Sequence, residues 1–250
     1  MPTTTAELKI SWEKLPDNFI LDEEPVENID QPILAAALRE SLEIAQLISE
    51  NILIASNMGI CATLNDKLAI KAPDWFYARN VEPLANQEVR RSYTPNLEGE
   101  IPTIVMEFLS ATESDEYSSK QSYPPGKWFF YEQVLRAPFY AIFEPVEGLL
   151  ELYQLNSSGR YELQPPNANN HHWIAGVGLF LGVWQGTKAN RTGYWLRWWD
   201  ENGEMLLWGT ESIEKERQEK DMIQQQIQQE RQRSERLAAQ LRAAGIEPEV

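Results

Sequence analysis

Three residues in the first half of the chain have side chains suited to chemistry on a phosphate. Asp74 follows Pro73, Glu107 lies in the apolar run 104–109, and Lys127 follows the Pro-Pro-Gly segment 124–126. Two carboxylates that converge on one hard cation are typical of a Mg²⁺ site, in which waters and substrate phosphate complete the coordination. A nearby ammonium can orient an attacking water or neutralise developing negative charge. These residues therefore indicate a site for metal-assisted phosphodiester hydrolysis.

The surroundings of Glu107 are the strongest part of this pattern. Its neighbours in the sequence are Met106 and Phe108, in a run that is otherwise wholly apolar. Burying an unpaired carboxylate in such a run is costly, so a metal or a cation partner is expected. A purely structural role is the alternative, in which Glu107 pairs with Lys127 or an arginine, or faces water at a strand edge. Spacing alone leaves both interpretations open.

Patterns of apolar residues predict the elements that hold these groups. Apolar spacings of three and four predict an amphipathic helix over 31–50, and helical character returns over 127–136 after the prolines. Short β-favouring or buried apolar runs predict the strands. The predicted strands lie within 51–56, 60–70, 101–109, 139–143, 149–155 and 160–163. The last three are typical of a β-meander.

The remainder of the chain is predicted to be less regular. Residues 167–186 are glycine-rich and are predicted to be irregular, whereas 194–208 predict a Trp-rich hairpin that turns at 201–203. A single charged helix is predicted over 211–244, with a heptad seam that is only half apolar, as in a weak coiled coil. The predicted organisation is an extended acidic lead-in over 1–30, a domain over 31–208 and a helical tail over 209–246.

Composition restricts the class of protein. The 250 residues include 38 Asp+Glu and 22 Lys+Arg, a formal net charge of −16, which disfavours non-specific attraction to phosphate backbones or anionic lipid. Any contact with nucleic acid is therefore expected to be local or metal-mediated. The apolar run 173–184 is shorter than the roughly 20 residues of a membrane-spanning helix. With one cysteine, Cys61, and no signal-peptide pattern, we expect a soluble cytoplasmic protein without membrane contact.

Several segments, taken in order, resemble one known family. They are Ala72–Tyr77, Pro102–Ser110, Gly126–Gln133, Phe139–Pro145 and Leu150–Leu155. Together they are similar to the Uma-two family of restriction endonucleases, within the PD-(D/E)XK nuclease superfamily. The Trp-rich segment 194–200 and the charged C-terminal helix resemble a cyanobacterial variant of that family. The resemblance covers residues 31–250.

The resemblance implies both a fold and an activity. The implied fold is an α/β (α+β) restriction-endonuclease-like core, with a mixed central sheet flanked by helices and a long C-terminal helix. The implied activity is Mg²⁺-dependent (or Mn²⁺-dependent) cleavage of DNA. Asp74 and Glu107 would then be the metal ligands, and the Phe108 carbonyl would be a third.

The lysine of the superfamily motif is displaced in this chain. Leu109 occupies the position two residues after the acid, where the superfamily has its lysine. Lys127, four residues before Tyr131, matches the lysine that this family places at the start of the next helix. By the same resemblance, Glu40 or Glu43 on the first helix is a candidate additional acid.

Other functions remain open at this stage. The acidic insertion 113–125 and the lack of net positive charge over 71–136 fit a nuclease fold without cleavage, which would assemble with a second copy or a partner helix through 211–244. The Trp-rich segment is either a stacking platform for bases or sugars, or core packing. The residues that would form a basic rim for DNA are Arg79, Arg90, Arg91 and Lys120.

Overall fold

The computed structural model describes residues 29–64, 67–83, 89–110 and 116–245. Its helices are α1 (Asp30–Ile44), α2 (Lys127–Phe129, continued as a π-helix over Phe130–Leu135) and α3 (Gly209–Ala243). The strands within these ranges are β1 (Leu53–Ala55), β2 (Gly59–Leu64), β3 (Lys67–Lys71), β4 (Trp75–Ala78), β5 (Ser92–Tyr93), β6 (Ile104–Phe108), β7 (Phe139–Glu144), β8 (Leu149–Leu155), β9 (Tyr161–Leu163), β10 (His171–Ile174), β11 (Leu179–Lys188) and β12 (Arg191–Trp199).

The central sheet has six strands in the order β1-β4-β6-β7-β8-β9. It is mixed, because β6 and β7 run parallel whereas the other neighbouring pairs run antiparallel. The α2 segment lies in the crossover between the two parallel strands, as such a connection requires. The predicted α+β class with a mixed central sheet and a long C-terminal helix is confirmed.

The two faces of the central sheet carry separate apolar cores. One face packs against α1 and against the three-stranded sheet β10-β11-β12. The other face packs against α2 and the small sheet β3-β2-β5. Because successive side chains on a strand point to opposite faces, Val105 of β6 contributes to the second core and Met106 to the first. Glu107 therefore projects toward α2.

The first helix is shorter than predicted. It ends at Ile44 instead of extending to residue 50, because Gln46 takes a left-handed backbone conformation with φ 57°. The amide of Leu47 donates to the Leu42 carbonyl there and closes the turn. The apolar residue Ile48 packs against the first core from this turn, which is why it matched the helical spacing.

The prediction of irregular structure over 167–186 was wrong, and the main hairpin partner of β12 was missed. Residues 167–186 contain β10 and much of β11, and β12 forms its long hairpin with β11 through a turn at Ala189 and Asn190, both with positive φ. The predicted turn at 201–203 is present, since it brings Met205 into an antiparallel bridge with Trp199. Glycines lie within β11 because aromatic rings cover the strand: a Cβ at Gly186 would lie 1.9 Å from the Trp184 ring. Close ring contact, and not irregular structure, accounts for these glycines.

The tryptophans of this region are largely structural. Trp195 and Trp198 are fully buried, and Trp208, just before α3, is 2% exposed. The Arg197 guanidinium lies 3.4 Å from the centre of the Trp208 ring and bonds Glu211 in the first turn of α3. These three buried rings therefore join α3 to the core and are not accessible for stacking on a ligand.

Candidate active site

Strand pairing places Asp74 next to Glu107. The register of antiparallel β4 and β6 pairs Trp75 with Met106, so the preceding Asp74 lies beside the following Glu107. The Phe108 amide donates a 2.5 Å hydrogen bond to Asp74 Oδ2, which fixes the aspartate across the strands. Asp74 is 8% exposed and Glu107 is fully buried. Two carboxylates thus meet at one end of the central sheet.

Lys127 reaches this pair from the start of α2. Its Nζ donates to Glu107 Oε2 at 3.2 Å, and the Tyr131 hydroxyl donates to Glu107 Oε1 at 2.8 Å. The lysine and the tyrosine lie one turn apart, so both face the sheet. Both oxygens of Glu107 are therefore held by groups on α2. The structure brings Asp74, Glu107 and Lys127 together, as the sequence predicted.

The environment of Glu107 strongly disfavours its charge. Burial raises the pKa of its carboxyl to about 8, against the lowering effect of the Lys127 ammonium and with a further raising effect of Asp74. Glu107 does pair with Lys127, which is the structural role considered from the sequence. This pairing does not offset the cost of burying the charged carboxylate. A carboxylate so poorly compensated is typical of a functional site.

The position of Lys127 is also electrostatically unfavourable for a helix. It is the first residue of α2, following Gly126 in extended conformation. The partial positive charge at a helix N-terminus favours acidic residues there and disfavours a lysine. The benefit of Lys127 at this position must come from Glu107 and the other carboxylates nearby.

Gly126 lets the preceding loop pack against the start of α2. A Cβ at this position would lie 2.2 Å from the Ser118 carbonyl oxygen. Phe129 donates its backbone amide to that same oxygen at 3.4 Å, and Gly126 donates its amide to the Lys120 carbonyl at 2.9 Å. The loop and the helix are therefore fixed to each other at backbone distance.

Replacing Gly126 by alanine is expected to displace the loop and, with it, Lys127. The added methyl cannot fit against backbone, so the free energy of unfolding should fall by about 1–3 kcal/mol. Urea denaturation of Gly126→Ala measures this loss. Gly203→Ala is the contrasting variant, because this turn glycine has positive φ but open space around it, whereas Gly126 has φ −69° and a close backbone neighbour. Equal stability of Gly126→Ala and the parent would contradict the packing described.

Sequence reasoning missed three residues at this site. Tyr131 served only as a landmark, Glu116 was counted within an acidic loop, and Gln31 was not considered. Glu116 is 1% exposed and its Oε1 accepts from Lys127 Nζ at 3.3 Å, whereas Gln31 on α1 donates to the Phe108 carbonyl at 2.9 Å. No signal in the sequence singles out Gln31. Glu116 could have been noted as an acid in the loop that leads to Lys127.

Other candidates lie elsewhere. Glu40 accepts from the Gly209 amide and pairs with Lys188, so it serves the packing of α3 and not this site. Glu43 is solvent-exposed on α1. Within the predicted basic rim, Arg79 pairs with Glu100, Arg90 pairs with Glu98, and Arg91 and Lys120 are exposed. The two paired arginines add little net positive charge for DNA.

The donor set is compatible with a hard divalent cation. Mg²⁺ is commonly bound by one or two carboxylates and otherwise by waters and substrate phosphate. Asp74 and Glu107 supply the carboxylates, and the Phe108 carbonyl retains a second lone pair beside the Gln31 hydrogen bond. No cluster of three or more His, Cys, Asp or Glu ligands occurs among the described residues. The donors thus fit an ion that keeps much of its water and do not fit an all-protein cage.

Within the described ranges, no helix has the length and apolar character needed to cross a bilayer.

The two adjacent histidines, His171 and His172, lie in strand β10. His171 stacks on Trp199 with ring centres 3.8 Å apart, and burial lowers the pKa of His172. These histidines therefore belong to sheet packing.

Comparison with known proteins gives a family. No curated protein and no solved structure matches the chain. A family match is found over residues 15–185, to Uma2, whose description is "Putative restriction endonuclease". The match includes Asp74, Glu107 and Lys127 and spans more than half of the chain. On this match and the fold, the chain belongs to the Uma2 family, the family that the sequence motifs resembled.

Proposed function

We propose that this protein is a metal-dependent endonuclease that hydrolyses DNA phosphodiester bonds. One observation carries the proposal: the fully buried carboxyl of Glu107 lies on a central strand, with Asp74 across the strand pair and the Lys127 ammonium 3.2 Å away. The family description supports a nuclease role. Mg²⁺, or Mn²⁺ in its place, is the proposed cofactor.

Each residue has a defined part in the proposed reaction. Asp74 and Glu107 hold the ion, with the Phe108 carbonyl as a third protein ligand. The ion, when bound, polarises the scissile phosphate and lowers the pKa of a water. Lys127 neutralises charge on the phosphate and orients the attacking water. Tyr131 fixes the orientation of Glu107 through its 2.8 Å hydrogen bond.

The overall charge affects how the substrate is bound. At −16 the protein repels a polyanion at long range, so affinity for DNA should depend on the bound cation and on local contacts. We propose that the domain over 31–208 carries the activity, with 209–246 as a tail. The predicted lead-in over 1–30 lies almost entirely outside the described residues.

Cleavage assays with plasmid and single-stranded DNA test this function. The full chain should cut in Mg²⁺ or Mn²⁺ and stop cutting with EDTA. Asp74→Ala and Glu107→Ala should each lower the rate about a hundredfold or more, because each removes a ligand of the charge-stabilising ion. Glu43→Ala, at an exposed acid of α1, is the matched control. If both site variants cut as fast as the parent, the assignment is wrong.

A second candidate function is assembly through α3. No residue of this 35-residue helix is buried in the described chain. The large apolar side chains that it exposes are Ile213, Met222, Ile223, Ile227, Leu237 and Leu241. We expect weak self-association through this face at most, because only half of the predicted heptad seam is apolar.

Sedimentation measures this association directly. The double variant Ile223→Lys, Ile227→Lys should have a lower average mass than the parent at concentrations where α3 self-associates. Lysines in the contact between two helices would be buried without partners, which disfavours pairing. Gln225→Lys, a charge change between the two isoleucines, is the control. Identical monomer masses for the parent and both variants would remove the assembly function.

A further inference from the structure

A further buried acid, Glu116, lies at the edge of the site. Glu116 lies in the loop before α2 and is 1% exposed. One oxygen, Oε1, accepts from Lys127 Nζ at 3.3 Å. The other, Oε2, is buried without a hydrogen-bond partner among the described residues. An unpaired buried carboxylate oxygen is costly, so its retention requires an explanation.

The structure holds Glu116 in this position through its backbone and its neighbours. The Tyr140 hydroxyl on β7 donates to the Glu116 carbonyl at 2.9 Å. The adjacent Tyr117 stacks on Trp128 and donates to Glu151 at 2.9 Å. Contacts with β7 and α2 therefore hold the loop segment that carries Glu116 in place.

Glu116 and Glu107 share the same ammonium. Lys127 Nζ lies 3.2 Å from Glu107 Oε2 and 3.3 Å from Glu116 Oε1. A lysine has three donors, so it can serve both acids at once. Without Glu116, the ammonium of Lys127 would act more strongly on Glu107, in competition with any cation there.

We propose that Glu116 is a positioning residue: it holds Lys127 by a shared ion pair, so that Glu107 is released for the divalent cation while the lysine stays aimed at the site. This inference rests on the proposed function. Glu116 touches Lys127 and not the reacting phosphate, and it acts through that lysine. The carboxylate that the sequence analysis counted against phosphate binding thus contributes to the site.

A double-mutant cycle read by Mn²⁺ affinity tests the proposal. Calorimetry is performed on the full chain as the parent, Glu116→Gln, Lys127→Met and the double variant. In the parent background, Glu116→Gln should weaken Mn²⁺ binding on the order of tenfold, because Lys127 then competes more strongly for Glu107. In the Lys127→Met background the same change should alter affinity by less than about twofold, since no ammonium remains to redirect.

Two controls separate this role from a merely structural one. Glu151→Gln removes the acceptor of Tyr117 and disturbs the same loop without touching Lys127, so it should leave Mn²⁺ affinity unchanged. Thermal unfolding of every variant identifies any that is not folded. A loss from Glu151→Gln equal to that from Glu116→Gln would make the loop, and not the carboxylate, responsible and would overturn the proposal.

The outcomes distinguish this inference from the proposed function. If Glu116→Gln weakens binding equally in both backgrounds, Glu116 acts independently of Lys127, as a direct ligand would, and the positioning role is wrong. If it has no effect in either background, the role is also wrong, although the proposed function stands. If the parent itself binds no Mn²⁺, the proposed function and this inference fail together.

Discussion

Glu107→Gln is expected to abolish metal-dependent cleavage and at the same time to stabilise the metal-free protein. The amide keeps the shape of the side chain but cannot carry the charge that a cation requires. Since the pKa of Glu107 is about 8 in the folded protein, its carboxyl must take up a proton when the chain folds at pH 7. Glutamine avoids that cost, so unfolding at pH 7 should require about 3 kcal/mol more.

The pH dependence of this gain has a definite sign. The folded-state pKa is raised above the unfolded value, so the stability of the parent falls as the pH rises from about 4.5 toward 8. The gain from Glu107→Gln should therefore be absent near pH 4, grow through this window and level off above pH 8. Urea denaturation at a series of pH values measures it. A destabilised Glu107→Gln protein at pH 7 would contradict the raised pKa, whereas exposed Glu43→Gln should show no such trend.

Lys127→Met is expected to separate metal binding from turnover. Methionine keeps the length and packing of the side chain and removes the ammonium that lies 3.2 Å from Glu107. Losing one charge-stabilising donor should lower the cleavage rate by about 10²–10³. Mn²⁺ binding should be retained or tightened, because a competing cation has been removed from its ligand.

Single-turnover cleavage and calorimetry on the same preparation make this separation visible. Lys120→Met, at an exposed lysine of the preceding loop, should cleave at the parental rate. If Lys127→Met cleaves as fast as the parent, the lysine is a structural partner of two acids and has no catalytic part. If it loses metal binding as well as cleavage, Lys127 maintains the site as a whole instead of acting on the phosphate.

The two acids could be predicted from the sequence because their environment is local. A single carboxylate in the apolar run around Glu107 indicates a buried charge whatever the topology. Asp74 then lies beside Glu107 because β4 and β6 are neighbours in the sheet. Lys127 was a candidate from its charge, and family resemblance matched it to the lysine at the start of the next helix, but its distance from Glu107 depends on how α2 crosses the sheet. The structure supplies that distance, 3.2 Å.

Contacts between distant elements could not be predicted in this way. Glu116 joins the site only because the Tyr140 hydroxyl and the Gly126 turn hold its loop against α2. Gln31 reaches the Phe108 carbonyl from a helix on the opposite face of the sheet. Gln31 has no feature in the sequence that distinguishes it from a surface polar residue, and Glu116 is one of three acids in the segment 113–125.

The errors in secondary structure have a common physical cause. Glycines in 167–186 were taken as a sign of irregular structure, whereas Gly182 and Gly186 lie in β11 under the rings of Trp199 and Trp184. The turn predicted at 201–203 does return the chain to Trp199, but the longer β11–β12 hairpin, which turns at the left-handed pair Ala189 and Asn190, was not predicted. Strand β11 was missed because large aromatic side chains pack over its glycines.

The most direct test of the account is calorimetric titration of Mn²⁺ into the parent and into Asp74→Ala. Asp74 receives the Phe108 amide and lies beside Glu107, so its removal takes one of two carboxylates from the ion. We expect saturable binding of one ion to the parent and about a hundredfold weaker binding to the variant. Equal affinities, or no binding to either protein, would contradict a metal site at Asp74 and Glu107.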